Sequence, residues 1–174
     1  MKKIILLLGI LFTIYLVCNN KEEYILIPNE AIRVRVIANS NLEYDIDVKE
    51  QVKDNLTNEF NYLLKDTNSI EEAREIIKND LEKINNIVDK TLKELKYDKD
   101  YKINYGLNLF PEKEFNGVKY DSGFYESLVV TLGEGKGPNY WCVLYPPLCL
   151  LENEKKEEIE YKLLIKEIIN KYIK

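Results

Sequence analysis

The sequence predicts an α+β domain: a mixed or antiparallel sheet of about four to five strands, with two long helices and a C-terminal amphipathic helix. Three observations lead there. Apolar residues alternate with polar ones around 32–36 and again from 101 onward, the period of a half-buried strand. Between those runs, from about 45 to 95, they recur at helical spacing instead. The two periods come in blocks, in the order β-α-α-β-β-β-α, and blocks rather than strict alternation are the signature of helices laid on one face of a sheet.

The elements follow in chain order. Lys2 and Lys3 precede fifteen residues, Ile4 to Cys18, interrupted only by Gly9 and Thr13. As a helix this run spans about 22 Å at 1.5 Å per residue, short of the ~30 Å hydrocarbon core. Residues 1–21 are therefore read as an export signal or short membrane anchor that engages the export machinery and the membrane, leaving 22–174 as a single extracytoplasmic α+β domain. Tyr15-Leu16-Val17 lack the small residues that precede a lipoprotein cysteine.

In "AIRVRVIANSN", Ile32, Val34 and Val36 alternate with Arg33 and Arg35 and run into Asn-Ser-Asn turn chemistry, which makes the first strand. Val48, Val52, Leu56, Phe60 and Leu63/Leu64 then mark a helix from about Asp45 to Lys65. A second helix is expected from Ser69 as N-cap, with Glu72 completing a capping box and a stripe from Ala73 through Ile77, Leu81, Ile84, Val88 and Leu92 to Leu95. Tyr101, Ile103, Tyr105, Leu107 and Leu109 form the next strand. Asn116-Gly117 is a two-residue hairpin turn, and Leu128, Val130 and Leu132 alternate in the strand after it. Residues 153–174 close the chain as an amphipathic helix with Ile159, Leu163, Ile165, Ile168, Ile169 and Tyr172.

Composition restricts the chemistry. The formal charge is −5, and it becomes −8 once Lys2, Lys3 and Lys21 leave with the N-terminal segment, so no nucleic-acid partner is expected. The chain has no histidine, which removes Ser-His and Cys-His pairs and His-bearing zinc sites. No metal and no cofactor are expected. Asp45/Asp47 and Asp98/Asp100 lack the Gly and distal Glu of a calcium loop, and the six residues between Cys142 and Cys149 exceed zinc spacing.

The stretch "GEGKGPNYWCVLYPPLC" at 133–149 holds three of seven Gly, three of five Pro, two of three Cys and the only Trp. It lacks phosphate-loop and dinucleotide-site spacing, carries Glu134 inside it, and reads as a glycine turn leaving a strand. A cis bond at Tyr145-Pro146 with a type VI turn sets Leu144 opposite Pro147, Val143 opposite Leu148 and Cys142 opposite Cys149. A Cys142–Cys149 disulfide is the expectation. A cysteine nucleophile at Cys142, with Lys136 as the nearby cation, stays as an alternative without a general base.

"IRVRVIANSN" at 32–41 and "ESLVVTLGEGKGPNYWCVLYPPLC" at 126–149 resemble the two signature regions of the stage II sporulation protein R family. The likeness runs loosely over 31–151. Tyr140 stands where the family usually has a second Trp, and Tyr145 where it has Phe. The resemblance implies a non-enzymatic, exported sporulation signal in the space between forespore and mother-cell membranes, secreted or held by its N-terminal segment. Its partner would be the mother cell's membrane-embedded aspartic protease, which it activates, leading to processing of the sigma factor E precursor. On that reading Glu134, Lys136 and Asn139 are polar partner contacts, Tyr140, Trp141 and Tyr145 aromatic ones, Cys142 with Cys149 a staple, and Arg33 with Arg35 a second patch. The rival class is an exported thiol-dependent or cell-wall enzyme.

Overall fold

The structure is a computed structural model and describes residues 25–26, 30–115, 118–149 and 158–172. In chain order its elements are β1 (Ile25–Leu26), β2 (Ile32–Ile37), α1 (Glu43–Leu64), α2 (Ile70–Asn79), α3 (Leu81–Glu94), β3 (Tyr101–Phe110), β4 (Lys113–Phe115), β5 (Val118–Tyr120), β6 (Gly123–Leu132), β7 (Asn139–Tyr145) and α4 (Glu158–Tyr172). The predicted α+β class is observed. The export segment at 1–21 and the Asn116-Gly117 turn lie outside the described residues. The strands flanking that turn, β4 and β5, pair antiparallel with Phe115 opposite Val118.

The main sheet is mixed, in the order β3-β6-β2-β7: β2 runs parallel to β6 and antiparallel to β7, and β3 runs antiparallel to β6. Its register puts Ile32, Val34 and Val36 of β2 on the same face as Leu128, Val130 and Leu132 of β6. These six pack against Val48, Val52, Leu56 and Phe60 of α1, Ala73 and Ile77 of α2, and Ile84, Val88 and Leu92 of α3. Every one of those side chains is essentially closed to water, so each Val, Leu and Ile among them contributes roughly 1.5–3 kcal/mol of transfer free energy. A period of two on the strands and of 3.6 on the helices is what lets both surfaces present unbroken apolar stripes.

The structure corrects two expectations. The second helix is two, because Asp80 takes φ −96° and ψ 9° and ends α2 while starting α3. Asn and Asp are poor helix-interior residues, and at the junction the Asp80 backbone N–H bonds back to the Ile76 and Lys78 carbonyls, while the apolar stripe crosses the kink without losing its phase. Ser69 caps α2 as expected, its Oγ accepting from the N–H of Glu72 at 3.2 Å. The reciprocal bond goes one residue upstream, from the N–H of Asn68 to Glu72 Oε2 at 3.1 Å.

The helices also do not all lie on one face. A second, smaller core gathers Ala31, Val118, Val143, Leu148 and Ile165, joining β5, β7 and α4 beyond the main helical layer. A three-stranded sheet, β1-β5-β4, accompanies it. In α4 Ile165 is buried and Leu163 is exposed. Among the described residues no helix is long and apolar enough to cross a membrane.

Candidate functional site

The two signature segments, about ninety residues apart in the chain, are neighbours in space. β2 and β7 pair with Arg35 opposite Trp141 and Ile37 opposite Asn139, and the loops that follow β2 and precede β7 are bonded to each other. Asn39 Oδ1 accepts the N–H of Glu134 at 2.9 Å, the Asn39 carbonyl accepts from Lys136 at 2.9 Å, and the Ala38 carbonyl accepts from Gly137 at 2.9 Å. This close apposition explains the glycines. Gly133 sits at φ 54°, and a Cβ there would run into the Asn39 side chain; a Cβ at Gly137 would run into the Ser40 carbonyl. The "GEGKG" run is therefore a docked turn, not an open cradle for an anion.

Asp45 anchors the other side of that junction. It is buried at the start of α1, where its carboxylate accepts from Ser40 Oγ at 2.5 Å, from Asn39 Nδ2 at 2.7 Å and from the Tyr97 hydroxyl at 3.1 Å. Burial pushes its pKa up, but the hydrogen bonds from Ser40, Asn39 and Tyr97 together outweigh burial and hold it below the usual Asp value. The Tyr97 hydroxyl is pushed well above its ordinary pKa by burial and by that same carboxylate. Sequence reasoning treated Asp45 as an ordinary helix-start carboxylate. The one signal available was its place five residues after Ser40, inside a turn rich in Asn and Ser.

Outward from this junction stand the expected contact residues. Glu134 and Lys136 are exposed at the tip and pair with each other at 2.6 Å. Next to them on the sheet face opposite α1, Arg35 donates from Nε to Asn139 Oδ1 at 3.1 Å and lays its guanidinium over the Trp141 ring, 4.3 Å from the centroid. Burial lowers the Arg35 pKa from its ordinary value. Tyr140 points the other way, toward the helices, with Lys53 Nζ 5.5 Å from its ring. Tyr140 and Trp141 thus cannot contact one flat partner surface together.

Two predicted contact residues lie inside. The Tyr145 side chain is buried, edge-on to Tyr172 with ring centroids 5.7 Å apart, and its hydroxyl donates to the Tyr172 carbonyl at 3.3 Å. The Tyr145-Pro146 bond is cis, the Leu148 N–H donates to the Val143 carbonyl at 3.2 Å, and Cys142 and Cys149 form a disulfide with Cα atoms 5.6 Å apart. The expected staple is present, and it turns Tyr145 into the core rather than toward a partner.

Arg33 is the other buried residue, only 3% exposed. Its guanidinium lies 3.4 Å from the Tyr125 ring centroid, with Phe110 at 5.5 Å and Tyr120 at 5.7 Å. Desolvation lowers its pKa, against the opposing pull of Tyr125, Tyr120 and Asp121. Among the described residues its Nε and Nη2 have no hydrogen-bond partner. It borders a cavity of about 230 Å³ whose wall also includes Phe110, Tyr120 and β7 from Asn139 to Val143. Among the described residues no cluster of acidic or thiol side chains is arranged to hold a metal ion.

Comparison with known proteins places this sequence among relatives. The family model for stage II sporulation protein R matches residues 28–173. The chain is 35% identical over 141 residues to the Stage II sporulation protein R of Bacillus subtilis (strain 168). That alignment covers 81% of this chain and 63% of the length of the relative. No solved structure gives a significant match.

Proposed function

The chain belongs to the stage II sporulation protein R family, and we propose that it is an exported sporulation signal that activates a membrane-embedded aspartic protease, leading to processing of the sigma factor E precursor. Membership carries the sporulation role; the protease and the space between forespore and mother-cell membranes are the reading proposed here. The observation that supports a ligand role is the contiguous surface of Glu134, Lys136, Asn139, Trp141 and Arg35, held by the Asn39 clamp on one side and the Cys142–Cys149 staple on the other. A surface fixed before contact loses little conformational entropy on binding.

A ligand activates an enzyme only through its preference for the active state. To move a protease from mostly inactive to mostly active requires a preference of about 10⁴-fold, or about 5.5 kcal/mol. The aromatic and charged groups of this surface are of the kind that supplies such energy, since buried Trp and Arg are common interface anchors. An enzyme reading through Cys142 finds no support, because that sulfur is bonded to Cys149 and the chain has no histidine to act as base.

Purified protein added to the protease in liposomes tests the proposal directly. Cleavage of the sigma factor precursor should begin on addition and saturate with concentration. Absence of cleavage with a folded protein and a cleavage-competent protease would reject the activator role.

A further inference from the structure

The cavity beside Arg33 is chemically unfinished. An arginine stays charged throughout the physiological range, and a buried guanidinium is normally satisfied by a carboxylate in a forked pair. Here Nε and Nη2 are closed to water and meet no acceptor among the described residues; Tyr125, Phe110 and Tyr120 pack around the guanidinium, and Tyr125 is the one side chain that raises its pKa by hydrogen bonding as well as by charge. Asp121, whose charge Arg33 feels, pairs instead with Lys119 at 3.7 Å.

The shape of the cavity says what completes it. At about 230 Å³ it falls below the ~300–1,000 Å³ usual for a cofactor or drug-sized ligand, and suits one or two side chains. Five consecutive residues of β7 border it, so it follows the strand rather than sitting on one face. β7 ends the main sheet; its Val143 carbonyl is already taken by the Leu148 N–H, so what it offers to another extended chain is the edge ahead of Val143.

We propose that this cavity receives a Glu or Asp side chain from an extended segment of a protein partner, which lies along β7 and places its carboxylate on Arg33. The inference rests on the reading of this surface as partner-binding and names the chemistry it selects. Entry of the carboxylate displaces a ring from the guanidinium. Phe110 stacks edge-on with Trp141 at 4.9 Å, so occupancy alters the surroundings of the chain's only tryptophan.

The test uses the folded protein and two pools of end-blocked pentapeptides, random except for a central Glu in one and a central Gln in the other. Trp141 emission should change saturably with the Glu pool, at concentrations about tenfold lower than with the Gln pool. Arg33→Met should remove the difference while melting at the same or a higher temperature, because it replaces an unpaired buried charge with an apolar chain of similar length. Equal response to the two pools, or an undiminished Glu preference in Arg33→Met, overturns the proposal. So does acetate or inorganic phosphate reproducing the full change at the Glu pool's concentrations, which would make the cavity a simple anion site. If Arg33→Met does not fold, the two pools on the unaltered protein decide. No protease enters this assay, so its failure is distinct from failure of the liposome experiment.

Discussion

Asn39 and Glu134 are joined by a hydrogen bond of 2.9 Å across 95 positions of sequence, from the Glu134 N–H to the Asn39 side-chain oxygen. The bond closes the exit of β6 onto the exit of β2, and the charged tip of the candidate surface hangs from it.

Gly133→Ala should therefore destabilise the fold by about 2 kcal/mol, combining the cost of a left-handed conformation with the clash against Asn39. Gly123→Ala, where the nearest neighbour to a new Cβ is at an ordinary 3.4 Å, should change stability by about 0.5 kcal/mol or less. Urea denaturation of both variants checks the contrast.

Asp45→Asn should cost about 2 kcal/mol at neutral pH, since the buried carboxylate receives three hydrogen bonds and an amide offers donors where acceptors are needed. The folded pKa of Asp45 is below its ordinary 3.8, so the unfolded chain takes up the proton first. The stability it contributes is present above that ordinary value and is lost as pH falls through the lower folded value. The gap between the unaltered protein and Asp45→Asn should be widest near pH 6 and narrow steadily below about pH 4. Unfolding free energies measured against pH give the curve.

Exchanging the tip charges, with Glu134→Lys and Lys136→Glu together, should leave the melting temperature where it is. The pair is exposed, and its attraction is heavily screened by water and salt. Activation of the protease should fall at least severalfold if these charges meet a complementary partner. Trp141→Ala should likewise reduce activation, by about tenfold or more, in protein that remains folded by circular dichroism.

Cys142 and Cys149 should resist alkylation in the absence of reductant, with mass spectrometry showing no modified thiol at either position. Replacing both with Ser should cost roughly 2.5 kcal/mol by the loop-entropy account for a separation of 7 residues. Equal stability of the double variant would mean that the rigid Pro146-Pro147 turn already restrains the unfolded chain.

The parts of the fold written in local periodicity were legible. Alternation at 32–36 and 101–109 located β2 and β3, and the spacing from Val48 to Leu64 located α1 and its buried stripe. The turn chemistry of Tyr145-Pro146 even fixed the facing of Val143 and Leu148. What escaped depends on partners far away in the chain. The kink at Asp80 was invisible because the apolar phase runs straight through it. Arg33 alternates with buried neighbours and so reads as outward, yet Phe110, Tyr120 and Tyr125 arrive from other strands to cover it. Tyr145 resembles an interface aromatic until the turn folds it against Tyr172. Glu134, Lys136, Asn139 and Trp141 were legible as one group; Arg35, read from the sequence as part of a second patch, joins them only because β2 pairs with β7.

The placement of β2 also governs the order of assembly. Its two neighbours in the sheet are β6 and β7, both beginning about ninety residues or more later in the chain. A chain delivered N-terminus first emerges with its central strand bare on both edges, and α1, α2 and α3 have only half of their apolar bed to settle on. Closure waits for the last third of the polypeptide, and non-local pairing of this kind is slow to form. A truncated chain lacking β6 and β7 would consequently lack both the seat for its helices and the surface offered to a partner. Folding and signalling competence would then appear together, at the moment the second signature segment docks.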